Sequence, residues 1–181
     1  MSSHPSTPDL VNLLVDKYHR HLRQSVTELI ELAPHWDSFQ SEYSESPICW
    51  RKLLTTWWGE VKQHLEKEEI SIFPAFVSGR ASHLAPQLRT LELEHRDHRQ
   101  LMVVLGGSVD SGIEQLENLP ASAATDSASI PQVQRFAELA REMVDMLNEH
   151  INLEDRVLFP LALGLDFSDH AEVNPNPNSP E

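Results

Sequence analysis

The sequence contains little cysteine, little positive charge and no long apolar run. Cys49 is the only cysteine among 181 residues, so an internal disulfide and a cysteine-rich metal site are excluded, and the reducing cytoplasm is the expected location. Lys and Arg number 14 against 28 Asp and Glu, and the net charge of −14 would repel a phosphate backbone. The chain has no run of about 18 apolar residues and no signal-peptide pattern. We therefore expect neither nucleic acid nor a membrane as a partner.

The chain length predicts one globular unit, since a typical domain has about 150 residues. We place the folded domain at residues 9–165, after a flexible N-terminus at residues 1–8. Residues 166–181, which include an Asn-Pro repeat, are predicted to be a disordered polar tail.

Proline and glycine divide the domain into four long amphipathic helices. The first is predicted from about Asp9 to Ala33-Pro34, the second from after Pro47 to Phe73-Pro74 or slightly beyond, the third from after Pro86 to Gly106-Gly107, and the fourth from after Pro131 to near Gly164. Residues 108–119 could form a short extra helix between the third and fourth. Because no segment alternates with period two for long enough to form a sheet, the pattern predicts an all-α, antiparallel up-and-down four-helix bundle.

Polar residues interrupt the apolar stripe of every helix. They are His19 on the first helix, His64 and Glu68 on the second, His95 and His98 on the third, and His150 and Glu154 on the fourth. No Lys or Arg lies on these stripes, and an uncompensated carboxylate in an apolar interior costs several kcal/mol. A bound cation is the simplest compensation, so these residues are the candidate metal ligands.

The second and fourth helices carry the same motif. Residues 64–74 and 150–160 have His, Glu, Phe and Pro at identical offsets. A His and a Glu four residues apart lie on one helical face, about 6 Å apart along the axis, which is close enough to bind one metal centre. A single pair of this kind is typically a solvated ion pair, and a single inward histidine is typically a hydrogen-bonded core residue. Two copies of the motif, joined by His19 and His95, favour a metal site.

His98 is the weakest candidate. Its position on the stripe favours an inward ring, but a pair of ligands on one helix is as often spaced by four, and position 99 is Arg. His35, expected in a loop after the first helix, is assigned no role.

The ligand types restrict the metal. Imidazole and carboxylate without thiolate suit iron, zinc or manganese. Five histidines and two glutamates are too many for one structural zinc, which takes four ligands, whereas two carboxylate-bridged ions would use them. A ferritin-like di-iron bundle needs paired Glu-x-x-His motifs, and this chain has one, at Glu92 and His95, with Glu92 on the polar face.

Residues 10–163 resemble the hemerythrin-like, or HHE cation-binding, domain family. The motifs that carry the resemblance are Tyr18-His19, His64-x-x-x-Glu68-Glu69, Glu94-His95-Arg96-Asp97 and His150-x-x-x-Glu154. Within the family they are most similar to the repair-of-iron-centres proteins, which act on damaged iron-sulfur clusters. The additional N-terminal domain usual in those proteins is not expected here.

The resemblance implies two iron ions in an oxo- or hydroxo-bridged di-iron centre. Glu68 and Glu154 would bridge the ions. His95 and His150, with His98, would bind one iron, and His19 and His64 would bind the other.

The resemblance leaves three functions open. The chain could bind O₂ or NO in oxidative or nitrosative stress, donate iron to an apo iron-sulfur protein for cluster repair, or act as an iron- or oxygen-sensing regulatory module. No nucleophile elbow, phosphate-binding glycine loop or second motif cluster is present, so a metal- and gas-binding protein is favoured over a dedicated enzyme. The sequence leaves monomer and homodimer open.

Overall fold

A computed structural model of the chain describes residues 5–43, 48–119 and 129–165. Within these residues all regular structure is helical, and there is no strand. Four long helices form the molecule, which confirms the predicted all-α four-helix bundle. No helix in the same residues combines the length and apolar character that a membrane span requires.

Three of the four long helices contain a π-helical turn, in which backbone hydrogen bonds skip one residue more than in an α-helix. The first long helix comprises α1 (Thr7–Leu13), π1 (Leu14–His19) and α2 (Arg20–Tyr43). The second comprises α3 (Trp50–Lys67), π2 (Glu68–Ile72) and α4 (Phe73–Val77), and a 3₁₀ turn at Ala81–His83 follows it. The third is α5 (Ala85–Glu117), and the fourth comprises α6 (Ile130–Leu153), π3 (Glu154–Leu158) and α7 (Phe159–Ala162).

The first helix begins two residues earlier than expected, because Ser6 and Asp9 form a capping box. The Asp9 backbone N–H donates to the Ser6 hydroxyl, and the Asp9 carboxylate accepts from the Ser6 backbone N–H at 3.2 Å. The fourth helix ends as predicted, at a turn where Gly164 takes a φ of +69°. The predicted tails at residues 1–4 and 166–181 lie outside the described residues.

The predicted end of the first helix at Pro34 is wrong. Pro34 lies inside α2, which continues to Tyr43, so His35 is on a helix rather than in a loop. A proline inside a helix removes a hydrogen bond and costs roughly 3 kcal/mol. The apolar burial that follows offsets this cost, because Trp36 is fully buried and stacks on Phe136 at 4.9 Å between ring centroids.

The predicted end of the third helix at Gly106-Gly107 is also wrong. The segment 108–119, expected as a separate short helix, is the last part of α5 up to Glu117. The buried stripe of this helix continues past the two glycines through Val109 to Gly112, which packs against Trp36. Tertiary packing therefore overrides the local preference of glycine to end a helix.

The buried core consists of two apolar clusters. The first contains Leu22, Trp36, Trp57, Phe136 and Leu147 among others, and the second contains Leu14, Tyr18, Phe73, Leu91 and Phe159 among others. On every long helix one cluster lies before the polar interruption and the other lies after it. A layer of buried histidines and glutamates thus separates the two clusters across the middle of the bundle.

Candidate metal centre

Six of the seven predicted ligands meet in the middle of the bundle. Each of them is at most 2% exposed. They are His19, His64, Glu68, His95, His150 and Glu154. Their convergence places four imidazoles and two carboxylates together in the buried interior of the bundle.

These six residues form two groups of four, and both groups contain Glu68 and Glu154. Within each group the candidate ligand atoms all lie within 4.8 Å of one another. One group adds His64 and His95, whose Nε2 atoms are 3.0 Å apart, and the other adds His19 and His150, whose Nε2 atoms are 3.1 Å apart.

Each glutamate directs one oxygen to each group. Glu68 Oε1 lies 3.1 Å from His64 Nε2, and Glu68 Oε2 lies 3.5 Å from His19 Nε2. Glu154 Oε2 lies 3.2 Å from His95 Nε2, and Glu154 Oε1 lies 3.1 Å from His150 Nε2. Each carboxylate thus lies between the histidines of one group and those of the other.

The predicted division of the histidines is wrong. The resemblance implied His95 with His150 and His19 with His64, whereas the structure pairs His64 with His95 and His19 with His150. The first helix packs against the fourth, and the ring of His64 on the second helix lies 4.7 Å from the ring of His95 on the third. Each position thus lies between two neighbouring helices. The apolar stripe of a single helix does not show which other helix will be its neighbour.

Three of the four histidines use their outer nitrogen to donate to a carboxylate. His19 Nδ1 lies 2.7 Å from Glu69 Oε1, His64 Nδ1 lies 2.8 Å from Glu94 Oε2, and His95 Nδ1 lies 2.7 Å from Asp155 Oδ1. Each carboxylate also accepts from a cation: Arg23 binds Glu69, Lys67 binds Glu94, and Arg99 binds Asp155. Such carboxylates fix the ring orientation and raise the basicity of a metal-binding histidine.

In a neutral ring, a proton on the outer nitrogen leaves an electron pair on the inner Nε2 that points into the centre and can bind a metal. The four oxygens of Glu68 and Glu154 point to the same place, and within the described part of the chain none of them has a partner in hydrogen-bond geometry. Without positive charge, supplied by a metal ion or by protons on the rings, these groups would repel one another in a medium of low dielectric constant. The donor set therefore fits bound cations, and the chain holds a metal site.

The pKa values of the metal-free site follow from burial and from the facing charges. Burial lowers the pKa of His64, but the carboxylates of Glu68 and Glu94 outweigh it and raise the pKa to about 9. For His95 burial is likewise outweighed, by Asp155, Glu154 and Glu68, and the pKa rises to about 11. The pKa of Glu68 lies well below its ordinary value, because the charge of His64 overcomes the cost of burial.

Two of the π-turns begin at the shared glutamates Glu68 and Glu154. The Phe73 backbone N–H donates to the Glu68 carbonyl, and the Phe159 backbone N–H donates to the Glu154 carbonyl, each five residues back. A proline follows each phenylalanine and supplies no N–H, so regular α-helical bonding is already interrupted there. π-turns are frequent at functional sites, and here two of the three begin at a glutamate that both groups share.

His98, the seventh predicted ligand, is buried next to the centre but belongs to neither group of four. Its Nδ1 accepts a hydrogen bond from the Trp57 indole N–H at 3.1 Å, and its ring lies 5.3 Å from the ring of His64. Burial and the neighbouring His64 and His95 lower the pKa of His98 to about 3. A spacing of three residues from His95 rotates its ring away from the shared glutamates.

Sequence reasoning assigned no role to the outer carboxylates Glu69, Glu94 and Asp155. A signal for two of them was present, since Glu69 and Asp155 follow the bridging glutamates at the same offset in the repeated motif. No comparable signal marks Glu94.

The comparison with known proteins agrees with this centre. A family model described as the hemerythrin HHE cation binding domain matches residues 12–162. An iron-sulfur cluster repair protein YtfE from Enterobacter sp. (strain 638) is 29% identical over 155 residues, which cover 86% of this chain and 66% of that protein. A probable iron-sulfur cluster repair protein from Haemophilus influenzae is 25% identical over 158 residues, which cover 87% of this chain and 66% of that protein.

The chain thus spans slightly less than two thirds of the length of these curated relatives. The match to the family model, by contrast, includes every residue of both four-residue groups. The chain belongs to the hemerythrin HHE cation-binding domain family.

Proposed function

We propose that the chain is a non-haem di-iron protein that binds O₂ or NO at a carboxylate-bridged site in the response to oxidative or nitrosative stress. The observation that carries the proposal is the pair of four-residue groups that share Glu68 and Glu154. A single metal would need one such group. Two groups with common carboxylates are the donor set of a dinuclear site.

In this proposal His64 and His95 would hold one ion, His19 and His150 would hold the other, and Glu68 and Glu154 would contribute to both positions. The family supports iron over the zinc or manganese that the same ligand types would accept. When bound, an iron pair supplies electrons to a diatomic ligand. Four protein atoms per ion leave coordination positions for such a ligand, as in other non-haem iron sites that bind oxygen.

The residues around the centre support a small, uncharged ligand. Leu22, Trp57 and Val61 on one side and Phe73 and Phe159 on the other are buried and apolar. They exclude water from the centre and leave little room for a larger substrate. His98 would then act as part of this wall, with its ring held by Trp57.

A second candidate function is iron donation for iron-sulfur cluster repair. The names of the relatives favour it, because they describe iron-sulfur cluster repair proteins. The partner would then be an apo iron-sulfur protein, and this chain would bind it either as a monomer or as a homodimer. A cytoplasmic location would suit both candidates.

Metal analysis of matched variants tests the proposed site. The wild-type chain should bind two iron equivalents and, when oxidised, show near-ultraviolet absorption of the kind given by bridged diferric centres. Glu68→Ala should lose at least one equivalent, because both positions lose a carboxylate oxygen. Glu66→Ala, an exposed carboxylate on the same helix, is the control and should keep both. Equal metal loss in the two variants would contradict the proposal.

A second experiment separates the two candidate functions. The reduced, loaded protein is mixed with NO or with O₂, and separately with an apo iron-sulfur protein. Reversible spectral change with gas and retention of both ions would support gas binding. Transfer of iron to the apo protein and recovery of its cluster would support the repair function.

A further inference from the structure

We propose that the two metal positions are unequal: the ion between His19 and His150 exchanges with solution, and the ion between His64 and His95 is retained. This inference rests on the proposed two-metal site and adds which of its halves is labile. It follows from a break in the internal symmetry of the centre.

The centre has an approximate twofold symmetry that relates the first helix to the third and the second to the fourth. Two chains of hydrogen bonds are related by this symmetry, residue by residue. They are His19–Glu69–Arg23 and His95–Asp155–Arg99. In both, the arginine lies four residues after the histidine, and the carboxylate immediately follows a bridging glutamate on the next helix.

The third chain of hydrogen bonds has no symmetry mate. His64 donates to Glu94, which precedes His95, and Glu94 is bound in turn by Lys67, three residues after His64. The equivalent positions around His150 are occupied by Tyr18, which precedes His19, and Leu153, three residues after His150. Neither side chain can replace a carboxylate and its cation.

His150 consequently lacks the support that the other three histidines have. Its Nδ1 is buried and has no hydrogen-bond partner in residues 5–43, 48–119 and 129–165. The Tyr18 ring stacks on the His150 ring at 5.9 Å with an angle of 19° between the planes, while the Tyr18 hydroxyl donates to Glu149. Stacking limits the position of the ring without fixing its proton or its rotation.

The missing carboxylate lowers the metal affinity of the position between His19 and His150. Loss of such an outer partner lowers metal affinity by about 10- to 100-fold in other proteins. At the position of His64 and His95 both rings are oriented by carboxylates, whereas at the position of His19 and His150 one ring of two is oriented. The second position should therefore release its ion first.

A surface pocket lies close to the same position. The pocket has a volume of about 450 Å³ and is lined by Val11, Val15, Glu69, Phe73, Pro74, Val77 and Ser78. Two of these residues touch His19: Glu69 through a hydrogen bond, and Phe73 through ring stacking at 5.7 Å. The lining of the pocket thus lies directly against His19, one of the two histidines of the labile position.

Release kinetics test the inference. The full chain is loaded anaerobically with two equivalents of Fe(II) and mixed with excess chromogenic iron(II) chelator. We expect two phases of one equivalent each, with rates that differ at least about tenfold. Anomalous diffraction from crystals stopped after the first phase should locate the remaining ion between His64 and His95.

Three variants assign the phases. Glu94→Gln should accelerate the slow phase about tenfold and leave the fast phase unchanged. Tyr18→Glu, which supplies a carboxylate at the symmetry-related position, should slow the fast phase. Tyr18→Phe keeps the stacked ring and is the matched control, with both rates as in the wild type. If Tyr18→Glu does not fold, the release kinetics of Glu94→Gln and the anomalous diffraction of the crystals still test the inference.

The possible failures are distinguishable. A chain that binds fewer than two equivalents would overturn the proposed function itself. Two equivalents that leave in one phase, or a remaining ion between His19 and His150, would overturn the inference and leave the two-metal site intact.

Discussion

At the scale of single residues, the inner nitrogens of His64 and His95 compete for protons and metal. Without metal their pKa values are about 9 and about 11, above the ordinary value of 6.5, because the carboxylates around them outweigh burial. At pH 7.5 both rings therefore hold a proton that must leave before a metal binds. Loading should release about two protons, measurable by calorimetry in buffers of different ionisation enthalpy.

The same shifts set the pH dependence of the metal-free fold. Since the folded pKa values are raised, the two protonated histidines stabilise the fold fully below pH 6.5, and this contribution is lost as pH rises through about 9 and about 11. Urea denaturation of the metal-free chain should show falling stability across that window. Stability that is flat from pH 7 to pH 11, with no proton release on loading, would contradict the pKa assignment.

His98 provides a second test at this scale. Because its Nδ1 accepts from Trp57 and its ring lies outside both groups of four, His98→Leu should retain two metal equivalents. His95→Leu, on the same helix three residues earlier, should lose at least one. Metal analysis of the two purified variants makes the comparison, and loss of an equivalent from His98→Leu would restore the ligand role that its stripe position predicted.

The sequence predicts which residues belong to the centre better than it predicts which histidines share a metal position. The spacing of four between His64 and Glu68 depends on one helix alone, so periodicity is sufficient to find it. The pairing of His64 with His95 depends on which helices face each other, and a stripe contains no information on that. Sequence analysis misses the outer carboxylates for a related reason. Glu94 is partly exposed, and in the sequence it resembles any other solvated acidic residue.

At the scale of elements, the contact between α2 and α5 depends on a glycine. A Cβ atom built on Gly112 would lie 2.3 Å from Trp36 Cη2, whereas a Cβ on Gly107 meets nothing within 4 Å. Gly112→Ala should therefore destabilise the fold by about 1 to 3 kcal/mol through overpacking. Gly107→Ala is the matched control and should stabilise the same helix by roughly 0.5 to 1 kcal/mol.

Chemical denaturation of both variants gives the two free energies of unfolding. Equal effects of the same sign would show that Trp36 does not depend on the close approach of Gly112. The contact also explains the wrong helix ends. Pro34 and Gly106-Gly107 are local stop signals, but Trp36 is fully buried only if both helices continue past them.

The π-turns are the element-scale feature that the sequence concealed. The spacing of apolar residues indicates a helix but does not distinguish an α-helical turn from a single π-helical turn, which contains slightly more residues. The sequences of π1, π2 and π3 therefore have no distinct hydrophobic pattern. The Phe-Pro pairs at 73–74 and 159–160 mark the ends of two of them, because proline cannot donate the next helical hydrogen bond.

At the scale of the whole molecule, the layer of buried histidines and glutamates lies between two apolar clusters. A layer of two buried carboxylates between such clusters would weaken a bundle of this size unless cations neutralise it. The fold class followed from the sequence because four amphipathic helices admit few other arrangements. The internal symmetry, and its break at His150, required coordinates.

Crystals of the purified chain, measured at the iron absorption edge together with metal analysis, test the central claim most directly. The account predicts two anomalous peaks, one between His64 and His95 and one between His19 and His150, each in contact with Glu68 and Glu154. A centre that takes up no iron, or a single ion, with the two glutamate side chains turned towards solvent, would contradict it.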